Sequence, residues 1–160
     1  MPKLIIREAR QSDVAAIHAI HVASIRGLCS SSYSAEIINA WVSNPDVERF
    51  GRQMDAGIRY LLAMKGGAAC GFAALDVADA KITALFVHPA HSRNGTGMRL
   101  LRELEKMATD NGIGELQMDA SLNARRFYEA YGYGGGMPGK YRLSAGLEID
   151  SVRLTKKLLP

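Results

Sequence analysis

Apolar residues in the first part of the chain recur mainly at helical spacing, after one short extended run. Residues 4–7 predict a short strand. A helix is predicted over residues 13–28, because its valines and isoleucines keep to helical spacing and Ser12 suits a helix start. Ser34 offers a similar cap to a second helix over residues 35–42. Two helices are therefore expected after the first strand.

Three extended apolar runs occupy the middle of the chain, after a predicted loop over residues 44–57. They cover residues 58–64, 69–76 and 81–88, and the turn-prone segments KGGA and VADA separate them. Short turns join antiparallel neighbours. The three runs therefore predict an antiparallel meander.

The last part of the chain alternates helical and extended patterns. From Gly97 onward, apolar side chains keep to one face of a predicted helix that ends near Asn111. A strand over residues 114–120, a helix over 121–132 and a strand over 148–158 follow, with a glycine-rich loop before the last strand. This order predicts an α+β (mixed α/β) fold with a central, mostly antiparallel sheet of about six to seven strands and about four flanking helices. Regular βαβ alternation, which a pure Rossmann fold requires, is missing.

The composition is that of an ordinary globular protein. Of 160 residues, 48% are hydrophobic and 22% are charged, and this length predicts a single domain over residues 1–160. The net charge of +4 suits an anionic ligand, but the basic residues are scattered, so we expect no nucleic-acid partner. No apolar run approaches the length of a membrane span, and charges interrupt the N-terminal segment. We therefore expect a cytoplasmic protein with no membrane partner, as a monomer or homodimer.

The segment SRNGTG, residues 92–97, lies between the meander and the long helix. Its glycines permit positive φ, and a helix N-terminus presents free N–H groups, so the segment suits a phosphate as well as a plain turn. A Walker A loop needs a Lys-Ser/Thr pair where Met98 and Arg99 stand, and GxGxxG needs a glycine where Leu100 stands. Both nucleotide motifs are therefore excluded.

Two longer motifs occur in fixed order. The first is LFVHP, followed by SRNGTG and the helical run MRLLRELE, and the second is NARRFYEAYGY. Together they resemble the acetyl-coenzyme A loop and a downstream motif of the GNAT N-acetyltransferase superfamily. Ser92 departs from the family pattern, which usually has Arg or Gln there. The second motif is matched by Ala124, Phe127, Tyr128, Gly132 and Tyr133.

The resemblance implies a binding site for acetyl-coenzyme A as cosubstrate. The backbone of Phe86 and Val87 is implied to pair with the pantetheine arm between two diverging strands. Family members often have an Asn three residues before the motif's alanine; Ser121 stands there and Asn123 is the nearest Asn, so either could reach the pantetheine amide. Asn123 is the candidate for contact with the pantetheine amide. The pyrophosphate is implied to lie on the loop formed by Ser92, Arg93, Asn94, Gly95, Thr96, Gly97 and Met98.

Tyr128 is the candidate general acid. Its family counterpart points the hydroxyl at the coenzyme sulfur, and a departing thiolate needs a proton. Without the resemblance, Tyr128 fits equally well into an aromatic core patch with Phe127, Tyr131 and Tyr133. The resemblance implies direct acetyl transfer to an amine acceptor, with no metal. The alternative is a catalytically inactive acyl-CoA-binding sensor or interaction module.

No general base is assigned from the sequence. Some family members carry a carboxylate on the strand before the loop, but KITALFV has none. The candidates are Glu36, Asp76, His88, His18 and His21, or a water chain. His18 and His21 are three residues apart and could be two ligands of a metal ion, but no third ligand is evident.

The acceptor pocket is implied to lie between the first two helices and the later loops. Tyr33, Glu36 and Trp41 could frame a cationic amine there. In the competing interpretation, Glu36 favours its helix N-terminus and Trp41 packs as core. The segment GYGGGMPG, residues 132–139, is expected to be a mobile loop, with closure over the acceptor as the alternative. The sequence does not identify the amine.

Overall fold

The computed structural model describes residues 2–143 and 146–158, in which the chain forms one seven-stranded sheet covered by helices on both faces. No helix within these ranges is long and apolar enough to cross a membrane. The strands are β1 Leu4–Glu8, β2 Arg59–Lys65, β3 Ala68–Asp76, β4 Lys81–Val87, β5 Glu115–Ser121, β6 Gly134–Arg142 and β7 Glu148–Lys157. The α-helices are α1 Val14–Leu28, α2 Ala35–Val42, α3 Arg49–Asp55, α4 Thr96–Asp110 and α5 Arg125–Ala130.

The sheet has the order β1-β2-β3-β4-β5-β7-β6, and its strands are antiparallel except at the centre. There β4 and β5 run parallel and pair at only two positions, Lys81 with Gln117 and Ile82 with Met118. Thr83 is skipped in the pairing of β4 with β3, which is the signature of a β-bulge. Beyond the bulge the two parallel strands separate, and a gap opens in the middle of the sheet.

Each face of the sheet buries its own apolar cluster. On one face, α4 presents Leu100, Leu101 and Leu104, all essentially inaccessible to solvent, and its charged residues lie on the other side. This is the amphipathic pattern that the sequence predicts for this helix. On the opposite face, Ile17 of α1 and Phe50 of α3 pack on the strands. The predicted meander of β2, β3 and β4 and the α+β class are confirmed.

The predicted loop over residues 44–57 is wrong in its second half, because that segment contains α3. Phe50 and Gly51 of this helix are buried against the sheet face. A helix of seven residues with two buried positions leaves little periodicity in a sequence. The described residues therefore contain five α-helices, one more than the roughly four expected from the pattern.

The glycine-rich segment is also not simply a loop, because residues 134–142 form the edge strand β6. Gly135 and Gly136 have positive φ and bulge out of the ladder, and pairing with β7 resumes at Met137. Backbone hydrogen bonds to β7 hold the strand although its side chains are small or exposed. A proline such as Pro138 is compatible with an edge strand.

Candidate active site

A cleft of about 170 Å³ opens where β4 and β5 separate. One end lies between the two strands and beside α5. The other end extends under α1 and α3. Since this gap exposes strand edges inside the fold, it is a place where an extended ligand can add to the sheet. The residues that line the cleft include His21, Trp41, Arg49, Phe50, Gln53, Tyr60, Phe86, Asp119, Ser121, Tyr128, Tyr141 and Ser151.

Phe86 and Val87 lie at the end of β4, beyond its last pairing with β5. On the side of β3 the strand remains fully paired, and the N–H of His88 donates to the carbonyl of Cys70 at 2.8 Å. The edge that faces β5 has no strand partner in this stretch within the described residues. Its N–H and C=O groups therefore face the gap, as amide pairing with a ligand requires.

The glycine segment forms a tight turn that leads into α4. Arg93 and Gly95 have φ values of 64° and 89°, in the left-handed region. Gly95 is the N-cap of α4, and no side chain caps the helix, so its first N–H groups have no side-chain acceptor. An anion placed there gains both hydrogen bonds and a favourable helix dipole.

The side chains of this segment mostly hold the turn itself. The Ser92 hydroxyl donates to the carbonyl of Pro89 at 3.0 Å. The buried Thr96 hydroxyl donates to the Asn94 side-chain oxygen at 2.8 Å. A Cβ at Gly97 would lie 3.3 Å from the Phe127 ring, so the lack of a side chain there lets α5 approach closely.

Tyr128 lies in α5 with only 5% of its surface exposed. Its ring makes edge contacts with Phe127 and Tyr133, at centroid distances of 5.1 and 5.7 Å. Burial raises the pKa of its hydroxyl well above the ordinary value, so the group is protonated at neutral pH. Of the four aromatic residues in this patch, Tyr128 is the one that lines the cleft. The Tyr133 hydroxyl donates to Glu105 at 2.7 Å instead.

The turn after β5 places Ser121 and Asn123 differently. Ser121 lines the cleft, whereas Asn123 is exposed and is not among the lining residues. The buried Tyr33 fixes this turn, because its hydroxyl accepts from the N–H of Leu122 at 2.9 Å and donates to the carbonyl of Asp150 at 2.7 Å. The geometry therefore favours Ser121 over Asn123 for contact with a ligand in the cleft.

The candidate bases are dispersed in the fold, and His21 is the one that lines the cleft. Its ring meets Phe86 edge-on at 4.9 Å, and its Nδ1 is buried without a hydrogen-bond partner in the described residues. Burial, then the charges of Arg49 and His18, lower the pKa of His21 from 6.5 to about 3. The Nδ1 of His88 instead accepts from the N–H of Ala90 in the turn before the glycine segment. His21 is therefore a neutral imidazole beside β4.

The two remaining carboxylate candidates lie outside the cleft lining. Glu36 is exposed in the first turn of α2, and Asp76 accepts from the N–H of Asp79 in the turn between β3 and β4. No group of three or more His, Cys, Asp or Glu side chains in the described ranges is placed to hold a metal ion.

Several cleft residues belong to no recognisable sequence motif. Arg49 comes from the unpredicted α3, and Ser151 from β7 has a buried hydroxyl with no partner among the described residues. Asp119 of β5 is ion-paired to both Lys81 and Arg153. Trp41, predicted as either core or pocket, is half-buried, lines the cleft and packs edge-on against Tyr33.

Comparison with known proteins identifies similar chains over most of this length. A family model described as an acetyltransferase (GNAT) domain matches residues 29–142. The uncharacterized N-acetyltransferase YafP of Escherichia coli K12 is 29% identical over 133 residues, which are 83% of each chain. A GCN5-related N-acetyltransferase structure from Rhodopseudomonas palustris is 33% identical with a TM-score of 0.90, covering 99% of this chain and 98% of that one. The structure of yncA from Salmonella typhimurium with acetyl-CoA has a TM-score of 0.69 at 22% identity, covering 99% and 95%.

Proposed function

Because this chain belongs to the GNAT acetyltransferase family, we propose that it transfers the acetyl group of acetyl-coenzyme A directly to an amine held in the cleft. The observation that carries the proposal is the cleft itself. It runs without interruption from the gap between β4 and β5, past Tyr128, to the polar and aromatic residues under α1 and α3. A thioester at one end and an amine at the other would therefore meet inside one enclosure.

The coenzyme would be held mainly by backbone groups. The pantetheine arm would add to the free edge of β4 at Phe86 and Val87, and the pyrophosphate would lie on the N–H groups of residues 92–98 at the start of α4. The similar protein yncA of Salmonella typhimurium has a structure with acetyl-CoA, and this supports acetyl-CoA as the cosubstrate of the present chain. Since the Ser92 hydroxyl is used inside its own turn, the Ser92 side chain would contribute little to the affinity.

Tyr128 would supply the proton that the leaving group needs. The amine nitrogen would bond to the thioester carbonyl carbon, the C–S bond would then break, and the thiolate would take the Tyr128 hydroxyl proton. The nitrogen would lose one proton as it becomes the amide nitrogen, and that proton would restore the Tyr128 hydroxyl through solvent. Burial keeps that hydroxyl protonated until the thiolate forms. A positioned acid of this kind contributes roughly 100- to 10,000-fold in rate.

The cleft itself would help to free the attacking amine from its proton. An amine with a pKa of about 10.4 costs roughly 4 kcal/mol to deprotonate at neutral pH. Burial in the cleft and the nearby Arg49 charge lower the pKa of His21 to about 3, and the same two effects act on an incoming ammonium. The neutral amine is thus favoured, and the released proton goes to solvent.

The proposal is tested by incubating the protein with acetyl-coenzyme A and a broad amine panel while free thiol is followed. Thiol release that depends on an amine, with the acetylated amine found by mass spectrometry, is the expected result. Calorimetric binding of acetyl-coenzyme A without release across the panel would instead support the sensor alternative. A protein that ignores acetyl-coenzyme A at about millimolar concentration would contradict both.

A further inference from the structure

Arg49 is a half-buried cation at the end of the cleft away from α5. Its guanidinium lies over the Phe50 ring at 4.3 Å, and its Nη1 donates to the Asp46 carbonyl at 2.6 Å. These contacts fix the plane of the guanidinium and occupy one of its nitrogens. Its Nε and Nη2 have no hydrogen-bond partner among the described residues.

No carboxylate in the described part of the chain forms an ion pair with Arg49. The Asp46 carboxylate is paired with Arg52 instead. The one carboxylate among the cleft-lining residues, Asp119, is already shared by Lys81 and Arg153. A partly desolvated charge is normally paired, because an unpaired one is costly. Apart from the Asp46 carboxylate, whose charge acts on Arg49 although it is paired with Arg52, the described cleft therefore presents this positive charge without a counterion.

We propose that Arg49 binds a carboxylate of the acceptor, so that the acceptor is a small molecule carrying both an amine and a carboxylate group. This inference rests on the proposed function and names the class of its substrate. A guanidinium fork matches a planar carboxylate in a bidentate arrangement, and its single positive charge balances one negative charge. Polyamines fit poorly, because no unpaired acid in the described cleft lining would receive their additional charges.

Neighbouring groups suit the same ligand. The Tyr60 hydroxyl donates to the side-chain oxygen of Gln53, which leaves the Gln53 amide N–H groups as further donors in the cleft. The buried Ser151 hydroxyl, without a partner in the described residues, lines the same cleft. The rings of Trp41 and Tyr141 supply apolar wall to the body of the ligand.

A series of ring contacts connects Arg49 with the end of β4. The centroids of Phe86 and His21 are 4.9 Å apart, those of His21 and Phe50 are 5.9 Å apart, and the Arg49 guanidinium lies 4.3 Å from the Phe50 centroid. The spacing between amine and carboxylate in the acceptor is therefore a variable that the experiment must scan.

The test uses pairs of acceptors that differ only in charge. Glycine, 4-aminobutyrate, 6-aminohexanoate and phenylalanine are each compared with the corresponding carboxamide, and kcat/KM is measured by thiol release. The amines of the α-amino carboxamides are less basic than those of the α-amino acids, so a larger fraction of each carboxamide is the reactive neutral amine. This difference favours the carboxamides, so a preference for the acids in those pairs would be seen in spite of it. Since hydrogen bonds to charged groups correspond to about 10- to 100-fold in binding, the best pair should favour the carboxylate by that factor. Arg49→Met should bring the ratio close to one, and Arg49→Lys should retain part of it.

Arg26→Met is the matched control, because Arg26 is an exposed arginine of α1 that bonds Asn39 and does not line the cleft. It should leave the ratio of the two kcat/KM values unchanged.

Turnover of the carboxamides as fast as the acids throughout the panel, or an undiminished preference in a folded Arg49→Met, would overturn the inference and leave the proposed function standing. If no acceptor is turned over, the proposed function fails for this panel. Calorimetry of the N-acetylated acids against their carboxamides on the coenzyme A complex then decides the inference. An Arg49-dependent preference for the acids supports it, and equal binding refutes it.

Discussion

Replacing Tyr128 with phenylalanine removes the candidate acid and little else. The ring is 5% exposed and keeps its edge contacts with Phe127 and Tyr133 in the variant. Burial is the sole cause of the raised pKa of the hydroxyl, so no described charged group depends on it. We therefore expect the free energy of unfolding to change by less than about 1 kcal/mol, which is the net contribution of a typical hydrogen bond.

The effect on turnover should be much larger. Loss of a positioned acid lowers the rate by roughly 100- to 10,000-fold, which raises the barrier by about 2.7–5.4 kcal/mol. The assay is kcat from thiol release at saturating acetyl-coenzyme A and acceptor. Calorimetry of acetyl-coenzyme A binding and urea unfolding accompany it, so that loss of the acid is separated from loss of the site or of the fold.

Tyr131→Phe is the control for this experiment. Tyr131 contacts the same Phe127 ring at 5.1 Å but does not line the cleft. Its substitution should leave kcat within about twofold of the wild type, because it removes no group that reaches the reacting atoms. An unchanged kcat in Tyr128→Phe, with affinity and folding intact, would refute the acid assignment.

The pH dependence gives a second view of the same residue. Burial holds the pKa of Tyr128 above its ordinary value of 10.0, so the acid keeps its proton in mildly alkaline buffer. We expect kcat not to decline between about pH 8 and 9.5. A descending limb in that window, absent from Tyr128→Phe, would show that the bound coenzyme reverses the shift.

Three further substitutions test the frame of the site. Gly95→Ala forces a Cβ onto a residue with φ of 89°, so it should lower the free energy of unfolding by about 1–2 kcal/mol and weaken coenzyme A binding in calorimetry. Leu104→Ala opens a cavity at a fully buried site of α4 and should cost about 2–5 kcal/mol in urea unfolding. The Arg7 hydrogen bond holds the pKa of Asp13 below 3.8, so its contribution is present at neutral pH and is lost as the pH falls through the folded-state value. Asp13→Asn should therefore destabilise at neutral pH and converge on the wild type once the pH lies below the folded-state pKa of Asp13.

The bulge and the short parallel pairing together explain how this sheet makes room for a ligand. Two paired positions join β4 and β5, and Thr83 lies next to the last of them, unpaired with β3. Extension of the pairing would close the gap that Phe86 and Tyr128 line. The interrupted pairing of β4 with β5 therefore creates the cleft in which the proposed acetyl transfer takes place.

Much of the fold could be predicted because its signals are local. The amphipathic stripe of α4, the apolar runs of the meander and the glycine turn each depend on neighbouring residues, and the predicted elements there are confirmed. The segment of α3 and the strand β6 escaped prediction for the opposite reason. One is held by burial of Phe50 and the other by pairing with β7, and neither effect is visible within the segment itself.

The sequence by itself determined the class of fold, the family resemblance and the coenzyme end of the candidate site, because a contiguous loop and a contiguous helix carry them. The acceptor end was decided by tertiary structure alone. Arg49, His21 and Ser151 come from three separate parts of the chain, and they line one cleft because α1 and α3 pack over one face of the sheet. That no described carboxylate forms an ion pair with Arg49 is a property of that packing, since a charge counts as unpaired only when its neighbours in space are known.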